Sequence, residues 1–288
     1  MSDALPARDL GPAIVPFSRR FNVRSHAVGA DFIIDIALPA PYLPSAGPWP
    51  ILFVTDGNLA FPTTAATAGI LPIEPGGPRP ICVVGIGYDL AGQGELAEHL
   101  VLRNRDLTPV RDESWEMRMR AAPPPFRLGD DLQTGGGERF LDFILEELTP
   151  WLAAKFPVDA ADRALAGSSF GATLALHALF TRAGAFRRIL AISPSLWWAK
   201  RHLIELEESY AMGHDDLDAR LYLCVGEAEE AQAPELKMAS ELLAFARRLE
   251  SRAYRSLALS HEVLAGETHV SAFNAGISNG IRRLFGSA

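Results

Sequence analysis

Residues 163–177 read Arg-Ala-Leu-Ala-Gly-Ser-Ser-Phe-Gly-Ala-Thr-Leu-Ala-Leu-His, a short apolar strand, a tight turn and a helix. The turn carries Gly167-x-Ser169-x-Gly171. Glycines flank the serine because the helix start must pass close to the strand it has just left, where a side chain would clash. Such a corner exposes the Ser169 hydroxyl above a sheet edge. The amide of Phe170, at the helix N-terminus, can then donate to a developing oxyanion. A serine hydroxyl is a poor nucleophile at neutral pH and needs a base within hydrogen-bond reach, most often a histidine. Of seven histidines, His269 alone follows the final predicted strand on a glycine-containing loop, Gly266-Glu267-Thr268-His269. His177 falls on the apolar helix after the serine, His261 inside a strand, and His99, His202 and His214 on polar segments that read as exposed.

A carboxylate that orients the imidazole completes such chemistry. Glu227, Glu229 and Glu230 cluster after Gly226 at the end of a predicted strand. Glu229 fits a turn that brings a carboxylate back over the sheet edge. Glu227 and Glu230 compete, and one of the three can cap the helix that follows. A second oxyanion donor is expected from the glycine turn Asp56-Gly57-Asn58, with Gly57 and Asn58 as candidates. Asp56 itself reads as a turn carboxylate bonded to its own backbone.

The elements that must position these groups are legible as hydrophobic patterns. The runs 50–55, 80–88, 188–192 and 221–225 are apolar except at Thr55 and Arg188, at their ends, as strands covered on both faces are. Residues 139–155 carry an apolar stripe at helical spacing, and a further helix spans 236–253. Residues 23–28 and 32–38 around a Gly-Ala-Asp turn predict an antiparallel hairpin. The expected fold class is α/β: a mostly parallel central sheet with helices on both faces and an antiparallel N-terminal hairpin, in one domain over 1–288. Each candidate residue follows the C-terminal end of a predicted parallel strand, where such folds place their sites. Residues 110–137 lack apolar period, contain three-proline and three-glycine runs, and read as a loop or lid over the site. That segment brings Arg111, Arg118 and Arg120 beside Trp115, mixed with acidic residues. Trp197 and Trp198, after the 188–192 strand, either wall a pocket or pack.

The net charge of −8 and the lack of a polybasic run argue against nucleic acid as partner. No apolar run reaches membrane-spanning length. Residues 1–21 lack the apolar core of a signal peptide, so the expected location is cytoplasmic. Cys82 and Cys224 fall in predicted buried strands and read as inert core thiols. The chemistry requires no metal and no organic cofactor, and the expected partner is a small-molecule ester.

The chain resembles the esterase D family of α/β-hydrolases, in particular its branch of enterochelin and ferric-siderophore esterases. The resemblance is carried by Thr55 to Asn58, Val84 to Tyr88, Arg103 to Pro109 (R-x-R-D-L-T-P), Gly136 to Glu147, Leu165 to Ala172, Ile192 to Trp198 (I-S-P-S-L-W-W), Val225 to Glu230 and Gly266 to His269. It implies an α/β-hydrolase fold and serine-esterase chemistry, with Ser169 and His269 at the matching positions. It places the oxyanion hole in the Asp-Gly loop and the residue after the nucleophile. Some members work with a serine–histidine pair and a weak or displaced acid. Relatives also cleave S-formylglutathione, feruloyl and simple acyl esters, so fold does not fix substrate. An acyltransferase on the same fold and a catalytically silent binding protein are the alternatives. The family pattern R-x-x-D-x-T-P nominates Arg103 as a substrate-binding cation. With Trp197 and Trp198 as aromatic walls, it implies a site for anionic aromatic esters such as a ferric catecholate.

Overall fold

The computed structural model describes residues 14–41, 47–90, 95–124 and 126–286. Most of the segment behind the leader reading (1–13), part of the proline-rich connection at 39–50 (42–46) and the last proline of the 123–125 run lie outside these. Eight strands form one sheet: β1 (Ser18–Arg24), β2 (Asp31–Ala37), β3 (Trp49–Val54), β4 (Cys82–Tyr88), β5 (Val158–Ser168), β6 (Arg188–Ile192), β7 (Ala219–Gly226) and β8 (Leu257–Leu264). Their spatial order is β1-β2-β4-β3-β5-β6-β7-β8. β1, β2 and β4 pair antiparallel, and from β4 to β8 every pairing is parallel. The expected α/β-hydrolase architecture is therefore the one observed, with its antiparallel hairpin at one edge.

The helices are α1 (Gly57–Ile70), α2 (Glu95–Leu107), α3 (Glu113–Arg120), α4 (Gly137–Asp142), α5 (Thr149–Lys155), α6 (Phe170–Thr181), α7 (Trp198–Gly213), α8 (Glu229–Gln232), α9 (Met238–Arg252) and α10 (Ala272–Phe285). The period of two along a strand divides the core. Ile51 and Phe53 of β3 face one cluster, with side chains of α4, α5, α6 and α9. Leu52 and Val54 face the other, with α1 and α10. A sheet covered on both faces explains why its strands read as unbroken apolar runs.

Two expectations are corrected. The stripe over 139–155 is not one α-helix: a π-helical turn, Phe143–Leu148, joins α4 to α5. Phe143, Ile144 and Leu148 all stay buried through the wider turn, so the apolar stripe does not reveal it. The segment 110–137 is not a structureless loop, because it contains α3. Its N-cap Asp112 accepts from the Trp115 amide at 3.0 Å, and buried Glu116 ties Arg111 to Thr134.

Candidate active site

Ser169 ends the strand-to-helix corner with φ 57° and ψ −120°, a backbone conformation that non-glycine residues seldom adopt. The corner closes because two side chains are missing. A Cβ on Gly167 would lie 2.3 Å from the carbonyl carbon of Gly171, and one on Gly171 would lie 2.2 Å from Thr55 Oγ1. The Ser169 amide donates to the Ile192 carbonyl (2.9 Å), which pins the corner to the end of β6. Phe170 is the first residue of α6, where backbone amides have no intrahelical acceptor.

His269 and Glu229 meet across the ends of β7 and β8. His269 Nδ1 lies 2.7 Å from Glu229 Oε2. An ionised carboxylate only accepts, so Nδ1 carries a proton toward Glu229 and Nε2 is the ring nitrogen left to face the cavity. Glu229 is buried, and its Oε1 also accepts from the Gly226 amide (2.7 Å) and the Ser193 hydroxyl. Burial works to raise the Glu229 carboxyl. The hydrogen bonds from His269, Ser193 and Gly226 outweigh it and hold the group below the ordinary carboxylate range. The other two glutamates have different occupations. Glu227 accepts from the Gly266 amide (2.9 Å) and so joins the histidine loop to the acid loop. Glu230 accepts from the amide and hydroxyl of Ser240 in the first turn of α9.

Two cavities meet at these residues, and Ser169, His269, Leu100 and Arg103 line both. The first, of about 440 Å³, is walled by Trp115, Met119, Phe126, Phe170 and Trp197. The 110–137 segment supplies three of these walls. The second, of about 550 Å³, opens between Asp56, Leu59, Leu96, Val270 and Phe273. Among the described residues, no helix is long and apolar enough to cross a membrane.

The two tryptophans part company. Trp197 lines the first cavity. Trp198 is fully buried, stacks edge-on against Phe170 with centroids 4.7 Å apart, and donates its indole N–H to the Val110 carbonyl. It is a packing residue, which corrects its nomination as a pocket wall. Gly57 and Asn58 open α1. The Asn58 carboxamide is taken by both backbone groups of Tyr88, at 2.7 and 2.8 Å. Asp56, immediately before them, takes a left-handed φ of 54° and faces the second cavity.

Arg103 is also placed differently from the simplest expectation. Its Nε and Nη2 grip both oxygens of Asp56 at 2.8 and 3.0 Å, with the guanidinium 5.5 Å from the Phe170 ring centre. Asp106, three residues on, pairs with Arg105 instead. His99 is buried rather than exposed, and its Nε2 approaches Asp56 Oδ1 at 3.3 Å. Asp56 is thus not a turn carboxylate bonded to its own backbone. Removing one partner of a buried pair leaves the other charge uncompensated. Arg103→Ala is therefore expected to cost about 3–5 kcal/mol of stability and to depress turnover of neutral and anionic esters alike. Melting curves beside kcat/KM for both substrate types check this, and an unchanged Tm would contradict it.

Burial alone would raise the Asp56 carboxyl, but Arg103 and His99 outweigh it and hold it well below the usual range. A carboxyl held low in the folded chain adds stability that is present above the unfolded value of about 4. That stability is lost as pH falls through the folded value. The Tm difference between wild type and Asp56→Asn should be largest at neutral pH and shrink below about pH 4. A difference that widens on acidification would contradict the pairing.

Sequence reasoning missed Ser193, Asp56 as the partner of Arg103, and Trp115 as a wall. Ser193 carried a signal: it is the first residue past β6, at the same sheet edge as Ser169. The other two depend on how α2 and α3 fold back over the site.

A family model described as Putative esterase matches residues 106–284. The chain is 29% identical over 304 residues to the siderophore triacetylfusarinine C esterase of Aspergillus fumigatus, covering 95% of each. It is 26% identical over 254 residues to the ferri-bacillibactin esterase BesA of Bacillus subtilis, covering 86% of this chain and 83% of that protein. Among solved structures, the BES protein from Bacillus cereus superposes with a TM-score of 0.78 at 26% identity, over 97% of this chain and 98% of that one.

Proposed function

The chain belongs to this esterase family and is a carboxylic ester hydrolase, and we propose that it opens siderophore esters through a Ser169–His269–Glu229 triad and an acyl-serine intermediate. The observation that carries the reading is the 2.7 Å bond from His269 to buried Glu229, beside a serine held on a strained corner in a shared cavity. His269 Nε2 takes the proton of Ser169 as Oγ bonds to the ester carbonyl carbon. The resulting oxyanion is held by the Phe170 amide and by an amide of Gly57 or Asn58, which occupy the first two positions of α1. As the tetrahedral centre collapses, the carbon–oxygen bond to the leaving alcohol breaks and His269 returns its proton to that oxygen. Water, deprotonated by the same imidazole, then releases the acid and restores Ser169. Glu229 stabilises the imidazolium at both stages.

The 110–137 segment acts as the roof of the aromatic chamber, and the whole chain works as one unit around one sheet. We place the enzyme in the cytoplasm, a reading that the buried, unpaired thiols of Cys82 and Cys224 support. The test is product analysis on a macrocyclic trilactone siderophore beside p-nitrophenyl acetate, with and without added methanol. Linear hydroxy acids from the trilactone support the reading. Methyl esters as the main product would make the enzyme an acyltransferase. An intact trilactone alongside rapid p-nitrophenyl acetate hydrolysis would leave an esterase of other specificity.

A further inference from the structure

The mechanism asks Glu229 to keep one carboxylate oxygen on His269 through both proton transfers. Its own backbone does little to ensure this. Glu229 opens α8, a helix of only four residues, and a long glutamate side chain has rotamer freedom to lose. Three donors hold the carboxylate: His269 on Oε2, and the Gly226 amide and the Ser193 hydroxyl on Oε1. Gly226 lies three residues before Glu229 in the same turn, so its amide travels with the acid. Ser193 is the one donor that comes from a different element and takes no part in the proton relay.

Ser193 is fixed in place by its surroundings. It follows β6, is fully buried, and donates its amide to the Cys224 carbonyl of β7 at 2.7 Å. Its φ of 49° lies in the left-handed region, which non-glycine residues occupy at a cost and which clusters at functional sites. Ser193 lines neither chamber, and its hydroxyl donates to Glu229. The same segment holds the nucleophile. The Ile192 carbonyl accepts the Ser169 amide. The Ser195 amide donates to Thr173 Oγ1 (2.9 Å), which donates to the Ser169 carbonyl (3.0 Å). Residues 192–195 therefore fix both the serine and the acid from one edge of the sheet.

On the Ser169–His269–Glu229 reading, we propose that Ser193 is a positioning residue: its hydroxyl anchors Glu229 Oε1 so that Oε2 stays on His269, which makes the site work as a triad rather than as a serine–histidine pair. Ser193 touches no reacting atom and acts only through Glu229. Without the hydroxyl, Oε1 keeps a single amide donor in a buried setting. The carboxylate then turns away from His269 or takes up a proton more readily, because a buried carboxylate depends on its donors to stay charged. Either outcome weakens the support of the imidazolium. It slows the chemical step and lowers the proton affinity of His269.

The experiment is a double-mutant cycle between Ser193→Ala and Glu229→Gln, read as kcat, KM and the pH profile of kcat/KM for p-nitrophenyl acetate. Ser193→Ala is expected to lower kcat about tenfold, the size of one hydrogen bond to a charged group, with KM little changed. The acid limb of kcat/KM should move to lower pH, as it does in Glu229→Gln. Added to Glu229→Gln, Ser193→Ala should cost less than about twofold, because its only route of action is already gone. Ser193→Gly also lacks the hydroxyl but relieves the left-handed backbone. It should match the alanine variant in kcat and exceed it in Tm. An unchanged kcat in Ser193→Ala, a loss that Ser193→Gly restores, a fixed acid limb, or a full loss added on top of Glu229→Gln would overturn the inference and leave the triad standing. A fully active Glu229→Gln would overturn the triad reading and the inference with it.

Discussion

Ser169→Ala is expected to lower kcat/KM for p-nitrophenyl acetate by about 10⁴–10⁶-fold while leaving the circular dichroism spectrum and Tm unchanged. The size of the loss follows from what the serine does. Without Oγ there is no covalent intermediate, and only substrate binding and the oxyanion donors remain to accelerate attack by water. Tm is spared because the hydroxyl makes no bond that holds the fold. The corner is pinned by the backbone bond to Ile192 and by the tight contacts of Gly167 and Gly171. The strain at φ 57°, ψ −120° belongs to the backbone of a residue with a Cβ, so alanine keeps it. Ser169→Gly removes it and should raise stability by about 1 kcal/mol, within the range such strain costs, while being as inactive as alanine. Near-wild-type turnover in either variant would remove Ser169 from the chemistry.

Glu229→Gln is expected to reduce kcat by about 10³–10⁴-fold with the fold intact. Glutamine matches the shape of glutamate and can still accept from the Gly226 amide. Its amide nitrogen, however, is a donor. Facing His269, it favours the tautomer with the proton on Nε2, which cannot take the serine proton. It also removes the negative charge that stabilises the imidazolium. Glu227→Gln should change kcat little, because it accepts a single backbone amide at the histidine loop. Glu230→Gln should act on stability rather than rate, because its partner is the first turn of α9. Equal losses in all three variants would mean that local charge, rather than a specific hydrogen bond, supports His269. No loss in Glu229→Gln would mean that the site runs as a serine–histidine pair.

What could be read from sequence follows a physical division. The corner at Ser169 was legible because it demands two glycines at fixed spacing between a strand and a helix, a local constraint. The sheet was legible because strands covered on both faces must be apolar along their length. His269 and Glu229 were candidates because the fold places its chemistry past strand ends. Choosing among Glu227, Glu229 and Glu230 was not a sequence problem: all three are exposed in the unfolded chain, and only the return of the β8 loop across Gly226 buries one of them. The same applies to Arg103. Its neighbour Asp106 is three residues away in sequence, yet Asp56, forty-seven residues earlier, takes the guanidinium because the fold brings α2 against the residues that follow β3. Trp197 and Trp198 are adjacent and chemically identical, and the start of α7 between them sends one to the cavity and the other to the core. The π-helical turn at Phe143–Leu148 leaves the apolar stripe unbroken and has no composition of its own. Long-range pairing and the direction of a side chain at an element's end are tertiary outcomes that local pattern does not encode.

The central claim is that Ser169 is a nucleophile made reactive by His269. Treatment of the native protein with a fluorophosphonate, followed by intact-mass and peptide mass spectrometry, tests it most directly, because the reagent captures an activated serine without reference to any substrate. The account predicts one adduct per chain, on the peptide containing Ser169, absent in Ser169→Ala and formed far more slowly in His269→Ala. An unlabelled wild-type protein, an adduct on another residue, or equal labelling rates in wild type and His269→Ala would contradict it.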